Sequence, residues 1–174
     1  KGDYCTSQTS SSSSEVPKPD TMISLQDTQR IQMTKSVIVN QSTMMRSSVS
    51  FTWKENGPRR DHSANHSVTI QETVWQSNTS LHAAGGLQLI NSPKLVLSSS
   101  LFDKNKSREN SGGALSSLCH ETLGCPMSID EDKSNEQHTQ FSNNRAFMGG
   151  GAIFWTGSQP AVDPSVTVFE NNSA

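Results

Sequence analysis

The chain has 174 residues, only 31% of them hydrophobic, and a formal net charge of −2 at pH 7. Because this balance provides no basic surface for a phosphate backbone, the composition argues against a nucleic-acid partner. No apolar run approaches the about 20 residues that span a bilayer, and no secretory signal is visible. We therefore expect any membrane attachment to lie outside this segment.

Residues 1–20 are rich in Ser, Thr and Pro and contain few apolar side chains. This composition is typical of linkers and mobile loops, so we interpret the segment as flexible. O-glycosylation of its serine run is the alternative, and Cys5 has no assigned partner. We expect residues 21–174 to form one repeat region, with polar loop insertions at about 54–66 and 118–139.

From residue 21 onward, short apolar runs rich in Val, Ile, Leu and Thr alternate with polar turns, without a helical period. This texture predicts β-strands. Two runs match closely, VTIQETVW from Val68 and LVLSSSLF from Leu95, which starts 27 residues later. The run IQMTKSVI from Ile31 fits the same template more loosely. The chain therefore contains an internal repeat of strands.

Four pairs of small residues each lead directly into an apolar run. The four segments, pair and run together, are SSVSF, GGLQL, GGALS and GGAIF. The pairs begin at Ser47, Gly85, Gly112 and Gly150, at intervals of 38, 27 and 38 residues. Glycine within a strand pattern marks a bend or a close approach of the backbone. We therefore predict one corner per repeat, with the first glycine of each pair in a single file. The glycines assigned to this corner are Gly85, Gly86, Gly112, Gly113, Gly150 and Gly151.

An aromatic residue followed three positions later by asparagine recurs four times. The four pairs are Trp75 and Asn78, Phe102 and Asn105, Phe141 and Asn144, and Phe169 and Asn172. The first three asparagines precede their glycine pairs by seven, seven and six residues, so two landmarks keep similar spacing. Asparagines at one register of a stack can join their amides in a hydrogen-bonded ladder. We predict such a ladder, with the aromatic rings filling the core beside it.

A helix-free repeat of about 27 residues predicts one coil of a parallel β-solenoid. Coils stacked about 4.8 Å apart hydrogen-bond to each other and join their inward side chains into a thin apolar core. We therefore predict an all-β fold of four or five coils. Because natural solenoids cap their exposed strand edges, we expect more coils or another subunit to follow the FENN motif. The chain is then a fragment of a longer solenoid.

The motifs GGA[IL], at Gly112 and Gly150, and FxxN, at Phe102 and Phe141, resemble the repeats of the chlamydial polymorphic membrane proteins. They also resemble related surface proteins of other bacteria and of microbial eukaryotes. The resemblance covers about residues 75–174, and it implies a right-handed parallel β-helix displayed at the cell surface and implicated in adhesion. The run SSVSF departs from the pattern because it lacks the glycines, and GGLQL lacks the alanine.

The resemblance implies an extracellular structural or adhesive module of a cell-surface or filament protein. Its expected partners are other surface or filament subunits, or proteins and glycans of a host or cell surface, and we expect no cofactor. The alternative is a carbohydrate-active enzyme, a polysaccharide lyase or hydrolase, on the same β-helix scaffold. Glycoside hydrolysis needs an acid and a base a few ångströms apart. Because the order of residues shows no such pair, we expect a protein that is not an enzyme.

Three acidic side chains in the run SIDEDKS, Asp130, Glu131 and Asp132, carry the oxygen atoms that calcium prefers. The alternative is a solvated loop. We favour the solvated loop and predict no metal there.

Histidines and cysteines offer two other possible metal sites. His62 and His66 are four residues apart in DHSANH, but they lack the glutamate of a zincin motif, so we interpret them as loop histidines. Cys119, His120 and Cys125 could ligate zinc, but no fourth ligand is in view. A disulfide between Cys119 and Cys125 is the favoured interpretation.

Five asparagines lie in Asn-X-Ser sequons: Asn40, Asn65, Asn78, Asn105 and Asn171. They are glycosylation acceptors if the chain is secreted through a eukaryotic pathway. Asn78 and Asn105 also belong to the proposed ladder, which would hide them. Asn40 and Asn65 are therefore the better candidates.

Overall fold

The computed structural model describes residues 23–26, 30–44, 47–53, 67–92, 94–120, 125–130 and 138–174. The segment predicted to be flexible, residues 1–20, and the first predicted insertion, 54–66, lie outside the described residues. The described residues form short strands joined by turns, in line with the all-β prediction. Among them, no helix is long and apolar enough to cross a lipid bilayer.

The strands follow each other in five coils. Coil 1 contains β1 (Ile23–Gln26), β2 (Arg30–Thr34), β3 (Val37–Val39) and β4 (Ser42–Thr43). Coil 2 contains β5 (Val49–Thr52), β6 (Ser67–Gln71), β7 (Val74–Gln76) and β8 (Thr79–Ser80). Coil 3 contains β9 (Leu87–Ile90), β10 (Leu95–Ser98), β11 (Leu101–Asp103) and β12 (Lys106–Ser107). Coil 4 contains β13 (Leu115–Leu118), β14 (Met127–Ile129) and β15 (Gln140–Ser142), and coil 5 contains β16 (Ile153–Trp155), β17 (Ala161–Val162) and β18 (Val168–Glu170).

Each strand pairs in parallel with the equivalent strand of the coils before and after it. The first, second and third strands of the coils therefore form three sheets of five strands each, and the fourth strands form a sheet of three. Isolated bridges from Lys106 to Arg145 and from Arg145 to Ser173 continue this last sheet through coils 4 and 5. The fold is a parallel β-helix, as the repeat predicted.

The register of the second sheet agrees with the strand alignment made from the sequence. Ile31 pairs with Val68, and Val68 pairs with Leu95. Side chains of these three residues point inward and are buried. The loosely matching run of coil 1 is therefore a true member of the repeat.

The predicted register of the glycine corner is wrong by one residue. Leu87 pairs with Leu115, and Leu115 pairs with Ile153. Gly85 therefore lies level with Gly113, and not with Gly112 as predicted. The error arises because the chain takes one more residue between β12 and β13 than between β8 and β9.

The second predicted insertion, at about 118–139, is also corrected by the structure. Met127–Ile129 forms β14 within it, paired with β10, and the side chains of Met127 and Ile129 are buried in the core. Leu118 is the last residue of β13. Coil 4 therefore has a connection on each side of β14 in place of one long insertion.

The core is a narrow apolar column enclosed by the sheets, because each strand is short and turns only alternate side chains inward. Its largest fully buried members are Trp75, Phe51, Phe102, Phe141, Ile70 and Leu87. Burial of each such side chain contributes about 1.5–3 kcal/mol. A coil buries these side chains only against its neighbours, so stability depends on stacking.

Candidate functional site

Four asparagines stand one above another through the interior, and we call them the asparagine ladder: Asn78, Asn105, Asn144 and Asn172. The Nδ2 atom of each donates to Oδ1 of the next, at 2.9, 3.0 and 2.9 Å in chain order. The first three are completely buried. The predicted ladder therefore exists as a continuous column of side-chain hydrogen bonds across four coils.

Asn105 shows how completely the buried amides are used. Its Oδ1 accepts from both Nδ2 and the main-chain N–H of Asn78. Its Nδ2 donates to the Trp75 carbonyl oxygen at 3.0 Å and to Oδ1 of Asn144. All four hydrogen-bonding positions of the amide are filled. A buried polar group left without its partner costs about 1–3 kcal/mol, so the ladder tolerates little change.

Beside the ladder runs a second file, the aromatic column: Trp75, Phe102, Phe141 and Phe169. Their ring centroids lie 4.5, 4.9 and 5.0 Å apart, with interplanar angles of 3°, 8° and 5°. The ring spacing follows the distance between stacked strands. Each aromatic contact contributes about 0.5–1.5 kcal/mol beyond the burial of the rings.

The turn between the aromatic column and the ladder has an unusual backbone. The residue before each ladder position has a φ of 52–55° in all five coils: Asn40, Ser77, Lys104, Asn143 and Asn171. A left-handed conformation costs a non-glycine residue about 1–2 kcal/mol. The turn keeps it because this bend brings the aromatic ring and the asparagine, three residues apart, into the same interior. The left-handed conformation at this position was not predicted from the sequence. The available signal was asparagine, which is enriched in this conformation and occupies the position in three of the five coils.

The glycine corner requires glycine for two different reasons. At Gly113, a Cβ atom would overlap the carbonyl oxygen of Gly151 and the backbone of Arg145, so the close approach of two coil segments excludes any side chain. Gly112 instead has a φ of 78°, which favours glycine. Gly150 is its equivalent in the next coil, with a φ of 61°.

The remaining predicted glycines fit the corrected register. Gly85 and Gly151 are level with Gly113, and Gly86 is level with Ala114. A Cβ atom at Gly86 would lie 2.7 Å from the Ala114 carbonyl oxygen. The corner is therefore a file of small residues, but the members of a pair do not have equivalent positions in every coil.

Asp103 forms a second polar contact between coils, near the surface. Its Oδ1 accepts from Ser142 Oγ at 3.2 Å and from Asn143 Nδ2 at 3.0 Å, and its Oδ2 accepts from Gln76 Nε2 at 3.1 Å. Burial by itself raises the pKa of the Asp103 carboxyl. The hydrogen bonds from Asn143, Gln76 and Ser142, with the positive charge of Lys104, outweigh burial and hold this pKa below its ordinary value.

The solvated-loop interpretation of Asp130 is wrong. The residue is 5% exposed, and its carboxylate accepts from Thr139 Oγ1 at 2.7 Å, from the Thr139 N–H at 2.9 Å and from Thr167 Oγ1 at 3.0 Å. The carboxylate therefore joins coil 4 to coil 5. Glu131 and Asp132 lie outside the described residues. Within the described ranges, no cluster of three His, Cys, Asp or Glu side chains could hold a metal ion.

The cysteine prediction is confirmed: Cys119 and Cys125 form a disulfide, with their Cα atoms 5.8 Å apart. The zinc alternative is therefore wrong for these two cysteines and His120. His62 and His66 lie outside the described residues.

The sequon asparagines have very different surroundings. Asn78 and Asn105 are completely buried in the ladder. Asn40 is exposed at the left-handed turn of coil 1, and Asn171 has the same position in coil 5. Asn65 lies outside the described residues. Of the two predicted acceptors, Asn40 is thus accessible to a modifying enzyme.

A comparison with protein families finds one of these repeats. Residues 138–154 match the model of the Chlamydia polymorphic membrane protein repeat. The chain carries a repeat of this family. Searches of curated proteins and of solved structures found no significant match to the chain. The family consists of surface-associated membrane proteins, which is the coarse location that the match supports.

The matched segment has a defined place in the fold. It contains β15 with Phe141, the ladder residue Asn144, the glycine corner with Gly151, and the start of β16. The polymorphic membrane protein repeat therefore spans the passage from coil 4 to coil 5. It combines the three features that make coils stack: a ring, an amide and a glycine corner.

Proposed function

We propose that this chain is an extracellular structural module of a cell-surface protein, which displays its turns and loops to other proteins or glycans. The family match to residues 138–154 supports the surface location. The observation that carries the proposal is the unbroken asparagine ladder, because it makes the interior a self-supporting rod.

The structure of the rod suits display at fixed intervals. Neighbouring coils are joined by parallel backbone hydrogen bonds, by stacked rings and by amide bonds at the same time. Parallel strands set the rise between coils at about 4.8 Å. Side chains on the outer surfaces are therefore repeated at a regular spacing along the rod.

The outer row of the second sheet illustrates the surface that is offered. Gln32 is exposed and pairs with Thr69, and Thr69 pairs with Val96; Thr69 and Val96 are partly exposed. These side chains point away from the core and are mostly uncharged hydrogen-bonding groups. Such a row suits contacts with hydroxyl and amide groups of glycans or proteins, and it offers no charge field for nucleic acid.

We also propose that the module has no catalytic role. In the described part of the chain, Asp103 and Asp130 are used in hydrogen bonds between coils. Glu72 lies 3.6 Å from Lys35, and Glu109 lies 2.9 Å from Nδ1 of His82. These carboxylates hold the scaffold or pair on its surface, which supports a structural role over the carbohydrate-active alternative.

The experiment measures binding and cleavage on the same material. Purified chain is applied to a glycan array and to cultured cells, and the same polysaccharides are assayed for new reducing ends and for the unsaturated products of a lyase. We expect saturable binding to at least one surface without cleavage. Release of reducing ends or unsaturated products would establish the enzyme instead. Absence of binding to every cell, glycan and protein surface would contradict the display function.

A further inference from the structure

Four positively charged side chains lie together on the outer surface of coils 3 and 4, and we call them the basic patch: Lys104, Lys106, Arg108 and Arg145. The run KNKSR at residues 104–108 alternates exposed and buried residues, so its three cations are all exposed. Arg145 of the next coil forms a parallel bridge with Lys106 and is also exposed. The chain as a whole has a formal net charge of −2, and this average hides the local concentration of positive charge.

The backbone fixes the spacing of these charges. Lys106 and Arg108 are two residues apart in one extended segment, which corresponds to about 6.6 Å along a strand. Lys106 and Arg145 lie on adjacent coils, about 4.8 Å apart at the backbone. Thr79 of coil 2 and Ser173 of coil 5 lie in the same row on either side of them. The basic patch therefore lies inside the stack, with a coil on each side.

Nearby carboxylates leave most of this charge uncompensated. Asp103 Oδ2 lies 3.7 Å from Lys104 Nζ, so this pair offsets one cation. Glu109 follows Arg108 in the sequence, but its Oε2 lies 2.9 Å from Nδ1 of His82. In the described part of the chain, no carboxylate forms an ion pair with the other three cations of the patch. Exposed cations held at fixed positions attract anionic ligands.

The surface around the basic patch consists of uncharged hydrogen-bonding groups. In the neighbouring coils, the rows of Lys104 and Lys106 continue with amide and hydroxyl side chains: Asn40, Ser77 and Asn143 in one row, and Ser42, Thr79 and Ser173 in the other. Amides and hydroxyls pair with sugar hydroxyl groups, whereas Lys and Arg pair with oxyanions. An acidic polysaccharide offers both kinds of group along one polymer.

We propose that the basic patch binds a sulfated acidic polysaccharide of a cell surface, an inference that rests on the proposed display function and names its ligand class. Sulfate or carboxylate groups of the polysaccharide lie against Lys106, Arg108 and Arg145. Each guanidinium group presents a planar fork of donors that binds an oxyanion through two parallel hydrogen bonds. Short clusters of Lys and Arg are also typical of heparin-binding surfaces.

Nucleic acid is the other polyanion that such a surface could bind. Duplex DNA carries one charge per about 1.7 Å of its length, and proteins bind it through many phosphate contacts along a basic surface. The basic patch covers two coils, and Thr79 and Ser173, which follow in its central row, are uncharged. The surface-associated family of the matched repeat also favours a glycan of the cell exterior. These observations support the polysaccharide over nucleic acid.

The test measures binding of a size-defined heparin oligosaccharide to the full chain by isothermal titration calorimetry, at an ionic strength of about 0.15 M. The site variant carries the three changes Lys106→Gln, Arg108→Gln and Arg145→Gln. We expect it to bind heparin about tenfold or more weakly than the unaltered chain, because three charge-assisted contacts are lost. Its affinity should also depend less on salt concentration, since fewer ions are displaced on binding.

A matched control variant removes the same charge from other surfaces. It carries Arg30→Gln, Lys35→Gln and Lys94→Gln, all at exposed residues outside the basic patch. We expect its affinity for heparin to stay within about twofold of the unaltered chain, because screening weakens the influence of distant charges. Circular dichroism and urea unfolding check that both variants keep the strand content and stability of the unaltered chain.

Two further ligands define the chemistry that is recognised. Desulfated heparin of the same length should bind the unaltered chain about tenfold more weakly than heparin, because it has lost most of its oxyanions. Single-stranded DNA with the same number of negative charges should also bind about tenfold more weakly, because its sequence of phosphates lacks the sugar hydroxyl groups that pair with the flanking rows.

Several results would overturn the proposal. They are equal affinities of the site and control variants, equal binding of heparin and desulfated heparin, and no binding of heparin at millimolar concentration. DNA binding as strong as that of heparin, and lost in the site variant, would assign the patch to nucleic acid instead. If heparin binding fails while the chain still binds cells or uncharged glycans, the display function stands without this ligand. Absence of binding to every surface would contradict the display function itself.

Discussion

The corner between the third and fourth strands and the connection between the first and second strands differ in how strictly chain length is held. Every aromatic residue of the column is followed three residues later by its ladder asparagine. The connection from first to second strand, in contrast, takes 14 residues in coil 2, four in coil 3 and eight in coil 4. The same stack therefore contains one passage of fixed length and one of free length.

The difference follows from where the polar groups are satisfied. At the corner, a buried amide must reach two neighbouring coils at once, so one added residue would leave several donors and acceptors unpaired. The four ladder residues all lie outside the connection between the first and second strands, and doubling the length of such a connection costs only about 0.6 kcal/mol. Interior hydrogen bonds, more than strand length, keep the coils equivalent.

One inserted residue tests this contrast most strongly. A glycine placed between Gln76 and Ser77 should lower the free energy of unfolding by about 5 kcal/mol, because it removes Asn78 from the ladder and Trp75 from its register. The same insertion between Gly157 and Ser158, which are exposed in the connection from β16 to β17, should cost less than about 1 kcal/mol. Urea unfolding measures both. Equal losses would show that the two passages are under the same constraint.

Removal of one ladder amide should have the next largest effect. Asn105→Leu leaves the two donors of Asn78 and the Trp75 carbonyl oxygen without their partner, and it removes one of the two hydrogen bonds that Oδ1 of Asn144 accepts. We expect a loss of about 4 kcal/mol in urea unfolding. Gln32→Ala, on the exposed side of β2, is the control and should stay within about 0.5 kcal/mol. A loss below about 1 kcal/mol at Asn105 would mean that the ladder contributes little.

Two glycines of the same region test whether close approach of the backbone is the reason that glycine is required. Gly113→Ala should cost about 3 kcal/mol, because the added methyl group overlaps the Gly151 carbonyl oxygen and forces two coils apart. Gly149→Ala should change stability by less than about 0.5 kcal/mol, since the nearest atom, Ser111 Oγ, lies 3.9 Å from the added carbon. Thermal unfolding of the pair is the measurement. Similar midpoints for both variants would remove steric exclusion as the reason for glycine.

The aromatic column should tolerate change better than the ladder. Phe141→Leu keeps an apolar side chain in the core but loses two ring contacts, so we expect a loss of about 1–2 kcal/mol. Phe147→Leu, at a ring that is 73% exposed, should be neutral. Urea unfolding of both variants tests whether stacking matters. If Phe141→Leu left the free energy of unfolding unchanged, the rings would stabilise the fold through their burial alone.

The smallest expected effect is on the pH dependence of stability, through the Asp103 carboxyl. Because the folded pKa of Asp103 lies below its unfolded value of about 3.9, its ionised form stabilises the fold at neutral pH. This contribution is present above the unfolded pKa and is lost as the pH falls through the folded pKa. Asp103→Asn should therefore weaken the acid dependence of unfolding below about pH 4. An unchanged pH profile would show that the Asp103 hydrogen bonds do not favour the charged form.

The sequence predicted the features that repeat at a constant interval. The ring and the asparagine are distinct residue types at a fixed separation, so Phe102 with Asn105 and Phe141 with Asn144 were aligned correctly. Adjacent glycines allow a slip of one residue, because Gly112 and Gly113 are identical in the sequence. The strand pairing of Leu87 with Leu115 identifies Gly113 as the equivalent of Gly85.

Two features were not predicted because they depend on partners that are distant in the sequence. Met127–Ile129 is a short apolar run between polar segments, and its role as β14 depends on pairing with β10. Asp130 belongs to an acidic run that is typical of a solvated loop. Its partners Thr139 and Thr167 are nine and 37 residues away, which no local pattern indicates.

Nuclear magnetic resonance of the side-chain amides tests the central claim of a continuous ladder most directly. The Nδ2 protons of Asn105 should exchange slowly with solvent and show nuclear Overhauser contacts to the Nδ2 protons of Asn78 and Asn144. A continuous ladder predicts both properties because each amide is buried and bonded to its neighbours in the coils on either side. Rapid exchange at Asn105, with no contact between the amides, would contradict it.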